Sequence, residues 1–134
     1  MISYQTDTAE ITPTKLQGFF VGWPNPPSPE THLRLLESSQ LIELALDQTG
    51  NVIGYLTVLS DGVLFAYISS LEVLPAHQGR GIGQELMRRI LVRLHTVYAI
   101  DLICDPDVQP FYAKVGMRPA TGMRIRNYER QSGE

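Results

Sequence analysis

The chain has 134 residues, 43% of them hydrophobic, which suffices for the core of a single domain spanning 1–134. Its formal net charge of −3 argues against general nucleic-acid binding, no apolar run approaches the ~20 residues of a membrane helix, and the lone Cys104 excludes an internal disulfide and a cysteine metal site. His32, His77 and His95 lie far apart with no metal-ligand spacing, and residues 1–7 lack a basic start followed by an apolar stretch, so the expectation is a metal-free, cytoplasmic protein without a membrane partner.

In chain order, residues 2–6 read as a short edge strand. Thr12 and Pro13 supply an N-cap and a first-turn proline for a helix carrying Leu16, Phe19, Phe20 and Trp23 at helical spacing. Pro24, Pro26, Pro27 and Pro29 force an extended loop, and Ser28 starts a second short helix with Leu33 and Leu36 inward. Residues 40–47 and 52–59 read as strands joined by Gln48-Thr49-Gly50-Asn51, and Ser60-Asp61-Gly62 leads into a third strand over 63–74. These strands are apolar at nearly every position, which predicts burial on both faces and therefore helices on each side of a central sheet. A helix follows from Ile82 to about His95, with Ile82, Leu86, Ile90 and Leu94 on one stripe and arginines opposite. Residues 98–104 read as a strand, broken by Asp105-Pro106-Asp107 before a helix over 108–115 closed by Gly116, and 123–128 as a last strand.

Between the third strand and the long helix lies His77-Gln78-Gly79-Arg80-Gly81-Ile82-Gly83-Gln84. Glycines at alternate positions permit a tight turn and a close approach of backbone to a ligand. The unpaired amides that open a helix, backed by its dipole, form an anion site, and Arg80 adds a charge suited to phosphate. The stretch reads as a diphosphate cradle. Its spacing is neither GxGxxG nor a P-loop, since no Gly-Lys-Ser/Thr follows. Charge supports the same half of the chain: residues 1–75 carry eight acids against Lys15 and Arg34, and the remainder carries nine basic residues against six acids.

Gln78-Gly79-Arg80-Gly81-Ile82-Gly83 resembles motif A, Q/R-x-x-G-x-G/A, of the GNAT superfamily of N-acetyltransferases. Phe111-Tyr112-Ala113-Lys114-Val115-Gly116-Met117 is similar to that family's F-Y-x-x-x-G-F, with Met117 in place of the final Phe. The resemblance is strong over 53–117, while the first fifty residues match in element order only. It implies an α/β (α+β) fold: a mixed, mostly antiparallel central sheet, helices on both faces, and strands splayed at the cofactor site. It implies acetyl-CoA as co-substrate, its pyrophosphate on Gln78, Gly79, Arg80, Gly81, Ile82, Gly83 and Gln84. By position, Leu71, Glu72 and Val73 become the strand whose amides bind the pantetheine arm and polarise the acetyl carbonyl. Tyr112 becomes the general acid toward the sulfur. The first helix-loop-helix region, with Phe19, Phe20 and Trp23, becomes a wall of the acceptor pocket, although such a stripe also serves simply as core.

Glu72 is an acid embedded in an apolar strand, where burial would make it a better base toward a protonated amine; a solvent-facing or ion-paired carboxylate is the other reading. Asp105 and Asp107 read as turn and cap residues. The expected function is transfer of acetyl to a primary amine, a small molecule, by direct attack in a ternary complex. A protein or peptide acceptor and a non-catalytic acyl-CoA-binding module are the alternatives, and the chain is expected to be a monomer or a homodimer.

Overall fold

Leu41–Leu46 and Val52–Ser60 carry apolar side chains on consecutive positions, and in the computed structural model, which describes residues 1–134, they form neighbouring antiparallel strands β2 and β3. All but the ends of both are buried. They are the centre of a five-stranded sheet of order β1-β2-β3-β4-β5, with β1 at Ser3–Gln5, β4 at Phe65–Val73 and β5 at Ala99–Asp101. Every pairing is antiparallel except β4 with β5. The turn between β2 and β3 is built by Asp47, whose Oδ1 accepts the amides of Thr49 and Asn51 at 2.9 and 3.0 Å.

Each face of the sheet holds its own core. Helix α2, Ile82–Arg93, lays Ile82, Leu86, Met87 and Ile90 against Ile53, Leu56 and Val58, all essentially buried. Each such side chain contributes about 1.5–3 kcal/mol of apolar burial. On the other face, Ile11, Leu16, Phe19, Phe20 and Leu36 cover Ile42, Leu44 and Tyr55. Leu36 belongs to helix α1, Pro29–Ser38, whose N-cap Ser28 accepts the Thr31 amide at 3.1 Å. Arg93 ties the end of α2 to β2: its Nη1 lies 2.6 Å from the buried Glu43 Oε2 and 2.7 Å from the Ile42 carbonyl.

Four elements differ from the expectation, each for a local reason. Residues 13–23 form only the 3-10 turn Pro13–Lys15. Gly18 (φ 91°) and Gly22 (φ 82°) take left-handed backbone there, and Phe20 joins them at φ 62°, so the apolar residues reach the core from a string of turns. Trp23 ends half-exposed against Phe20, ring centroids 4.9 Å apart. β5 stops at Asp101 because β4 shifts register between the positions facing Thr57 and Val58, and the two strands part beyond Tyr67. The last helix, α3, spans only Gln109–Ala113 after a 3-10 turn at Pro106–Val108. Residues 123–128 join no strand, since nothing pairs with them; Met123 and Ile125 are each 95% exposed.

Candidate active site

From Val73 the chain passes through a 3-10 turn at Pro75–His77 and reaches α2 by way of Gly79 (φ 78°) and Gly81 (φ 79°). Both positions are left-handed, where a side chain costs roughly 1–2 kcal/mol. Gly81 is the N-cap and offers no side chain to the helix. The first amide beyond it to find a partner is that of Glu85, which bonds the Gly81 carbonyl at 3.0 Å; none from Gly79 to Gln84 donates to an acceptor in the protein. A run of free N–H groups at the positive end of a helix is the arrangement that binds phosphate.

The side chains of this loop shape it. Gln78 Nε2 donates to the Val73 carbonyl at 3.0 Å, and Arg80 Nη1 stands 2.9 Å from His77 Nδ1. Both therefore brace the turn, leaving the amides to face a ligand. Gly83 contributes through close packing instead. A Cβ there would lie 3.2 Å from Phe111 Cζ, so its bareness lets α3 press on the first turn of α2.

The end of β4 lies open beside this turn. The Leu74 amide donates to the Ile53 carbonyl at 2.9 Å, and alternation along an antiparallel ladder then turns the amides of Val73 and Leu71 away from β3. No strand stands on that side, because β5 pairs with β4 only from Phe65 to Tyr67. The result is a slot flanked by unpaired backbone donors. Tyr112 of α3 reaches the turn through Phe111, which packs on Gly83, and it lines a cavity of about 750 Å³ with Tyr67, Ile100, Leu102 and Cys104 that neither Leu71, Val73 nor the glycine turn enters. Burial first, and then the neighbouring Cys104, raise the Tyr112 phenol above its ordinary pKa, so it keeps its proton at neutral pH.

Glu72 points to the opposite face of β4. Its Oε1 accepts the Phe20 amide at 2.9 Å and its Oε2 the Val21 amide at 3.3 Å, which pins the left-handed Phe20 to the sheet. Phe20 also packs 4.9 Å from His32, and Phe19 5.1 Å from Tyr55. Of the residues singled out in the sequence, then, the turn 78–84, Leu71, Val73 and Tyr112 gather on one side of the sheet, and Glu72 with the aromatic segment on the other. Sequence reasoning missed two features. A second groove of about 750 Å³ runs from Gly81 past Arg88 to Lys114 and Val115; Arg88 is forked onto Glu85 of the same groove at 3.0 and 2.7 Å, which leaves Lys114 as a cation beside the glycine turn. Thr57 Oγ1 bonds both Ser69 Oγ, at 2.7 Å, and Ser70 Oγ, a cluster created by the register shift and invisible to alternation.

The profile of the Acetyltransferase (GNAT) family matches residues 9–117. Over 100 residues the chain is 31% identical to an uncharacterized N-acetyltransferase, ycf52, of Porphyra purpurea, covering 72% of this chain and 58% of the algal protein, so it spans little more than half the length of that relative. A shorter match, 40% over 70 residues, covers 50% of this chain and 29% of the GCN5-related N-acetyltransferase 3, chloroplastic, of Arabidopsis thaliana. Among solved structures, a Deinococcus radiodurans protein overlays with a TM-score of 0.96 at 46% identity, covering 98% of this chain and 92% of that one. A GNAT-family acetyltransferase of Streptococcus pneumoniae overlays with a TM-score of 0.77 at 29% identity, covering 95% and 98%.

Proposed function

The chain belongs to the acetyltransferase (GNAT) family, and on that footing we propose that it transfers acetyl from acetyl-CoA to a primary amine. The observation that carries the reading is the pairing of a free-amide turn, Gly79 to Gln84, with an open β4 edge at Leu71 and Val73. A diphosphate joined to an extended, amide-rich arm fits that layout, since the turn offers clustered N–H donors and the strand edge offers them singly. Acetyl-CoA, when bound, supplies the activated acetyl group as a thioester.

The chain's own residues then divide the work. Gly79, Arg80, Gly81, Ile82, Gly83 and Gln84 hold the pyrophosphate through their backbone, Gln78 braces the turn with its amide on the Pro75 carbonyl, and Lys114 adds positive charge along the neighbouring groove. The amides of Leu71 and Val73 hold the arm and polarise the carbonyl; backbone donors aimed at a developing oxyanion are commonly worth about 3 kcal/mol or more. Tyr112, protonated at neutral pH, holds the proton that leaves with the thiol. Glu72 orders the Phe20 turn through its two amide bonds, and each of its oxygens retains a lone pair able to take a proton from the amine, directly or through water. The acceptor enters over the aromatic segment beside Trp23, which favours a small amine carrying an apolar body.

A thermal-shift titration with acetyl-CoA followed by thiol release against a panel of aryl and alkyl amines and of lysine and N-terminal peptides tests the proposal. Stabilisation together with thiol release on a small amine is the expected result. Release with peptides alone moves the acceptor to proteins, and stabilisation without release under any amine makes the chain an acyl-CoA-binding module.

A further inference from the structure

The side chains of β4 change sides partway along the strand. Ala66 and Ile68 pack into the core under α2, and so do Leu71 and Val73. Strict alternation would send Ala66, Ile68, Ser70 and Glu72 to one face, and Leu71 and Val73 to the other. One residue is therefore inserted between Ile68 and Leu71, and the pairing shows where. Thr57 of β3 faces Ser70, the next residue Val58 faces Ile68, and Ser69 has no partner. Such a bulge bends its strand and re-aims the side chains beyond it.

What the site takes from β4 lies beyond that extra residue. With it, Glu72 stands opposite Tyr55 on the face of the Phe20 turn, whose amides its carboxylate accepts. The pairs Tyr55–Glu72 and Ile53–Leu74 are then the ones that turn their amides across the ladder, and Leu71 and Val73 keep theirs free. Without it, the register carried on from Val58–Ile68 would set Leu71 against Tyr55 and Val73 against Ile53. Both amides would then be spent on β3, and Glu72 would point into the core under α2. A single inserted residue thus decides whether the slot exists.

The bulge has a holder. Thr57 is 1% exposed, and its Oγ1 bonds Ser69 Oγ at 2.7 Å and also Ser70 Oγ. Ser69 Oγ in turn donates to the Thr57 carbonyl at 3.3 Å. A hydroxyl gives one hydrogen bond and accepts two, so one threonine satisfies both serines. Main-chain pairing alone would serve a bulge one residue further on equally well, and it is side chains that choose a register. Ser69 and Ser70 are the one pair of adjacent serines in β4, and Thr57 reaches both.

On the footing of the acetyl-transfer reading above, we propose that Thr57 is a positioning residue. By clasping Ser69 and Ser70 it holds the extra residue of β4 in place, and through it aims the Leu71 and Val73 amides at the thioester and Glu72 at the acceptor. Itself buried, Thr57 acts only through the strand it holds.

Two variants test this: Thr57→Val keeps the shape and removes the hydroxyl, and Thr57→Ser keeps the hydroxyl. Hydrogen exchange followed by NMR on the unliganded chain reads the holding step without reference to any activity. In Thr57→Val the Ser70 and Glu72 amides should gain about tenfold in exchange rate relative to those of Met87 and Ile90 in α2, which report overall unfolding. In Thr57→Ser that ratio should stay at the wild-type value. In thiol-release assays Thr57→Val should lower kcat about tenfold and leave KM for acetyl-CoA within about threefold, since the glycine turn is untouched, while Thr57→Ser should restore kcat to within about twofold. A threonine that served stability alone would leave the kcat of the folded chain unchanged. Exchange in β4 that only keeps pace with α2, a serine variant as impaired as the valine one, or an undiminished kcat in Thr57→Val would each overturn the proposal. A wild type that releases no thiol with any amine sinks the transferase reading instead, and the exchange comparison then decides alone whether Thr57 holds the bulge.

Discussion

Alanine at Gly81 separates the cost of strain from the loss of a ligand grip. Gly81 takes φ 79° and a Cβ there would meet nothing within 4 Å, so the substitution adds backbone strain and no clash. Strain of this kind amounts to roughly 1–2 kcal/mol. For 134 residues the unfolding entropy near the midpoint is about 0.28 kcal/mol per degree, so the melting temperature should fall by about 4–7 °C. Gly62 is the matched control: φ 72°, nothing within 4 Å, in the turn before β4 and remote from the site. Gly62→Ala should lower the melting temperature similarly. The two should part when acetyl-CoA is added. At ~100 times its dissociation constant the ligand adds about 2.7 kcal/mol, or about 10 °C, to the wild type and to Gly62→Ala. Relaxing residue 81 from the left-handed region swings the amides on either side of it, and losing one charge-assisted hydrogen bond costs about 1.5 kcal/mol, roughly tenfold in affinity. At the same concentration the ligand then adds only about 1.4 kcal/mol, and the shift halves to about 5 °C. Differential scanning fluorimetry reads all of this. An undiminished ligand shift in Gly81→Ala, alongside the expected loss of intrinsic stability, would refute the assignment of these amides to the diphosphate.

Other outcomes follow from the same geometry. Tyr112→Phe should lower turnover about a hundredfold with little change in the acetyl-CoA thermal shift, as befits loss of a proton donor, and thiol-release kinetics would show it. Glu72→Gln should lower turnover most at low pH, where more of the amine is protonated; equal activity to wild type across the pH range would remove the carboxylate from proton transfer. His32 is buried among Phe19, Phe20 and Tyr55 with both ring nitrogens unpartnered, and burial lowers its pKa to about 4. Unfolded, the ring takes a proton near 6.5, so between those values the unfolded state binds more protons and stability falls as pH falls. The contribution reaches up to about 3 kcal/mol at pH 4, and urea melts of His32→Phe should show a shallower pH dependence than wild type. Arg93→Ala strands the carboxylate of Glu43, which is 1% exposed, and should cost about 3–5 kcal/mol in a denaturant melt, whereas Glu43→Leu with Arg93→Met should cost far less.

What the sequence made legible was whatever depends on neighbouring residues. The unbroken apolar runs of β2 and β3 require cover on both faces, and the i, i+4 stripe of α2 names the face it buries. The glycine turn was readable because only glycine tolerates φ 78° and 79° without strain. Long-range bonds were not readable. Phe19, Phe20 and Trp23 fall at helical spacing, but Glu72, 52 residues beyond Phe20, takes the amides of Phe20 and Val21 and holds that segment in turns. The early end of β5 and the Thr57–Ser69–Ser70 cluster both stem from a register shift between strands, which no periodicity within one strand records. The alternation of 123–126 is genuine, but pairing is a property of two segments, and no other segment is hydrogen-bonded to this one.

The bare Gly83 has a wider reach than its size suggests. Phe111 rests on it and, through an edge-to-face contact at 4.9 Å, on its neighbour Tyr112. The turn proposed to clasp the donor and the tyrosine proposed to lend the proton thus hinge on a single joint. Bulk introduced at that joint would displace both at once, and donor affinity and chemical rate would decline in step where substitutions on either side of it would let them move apart.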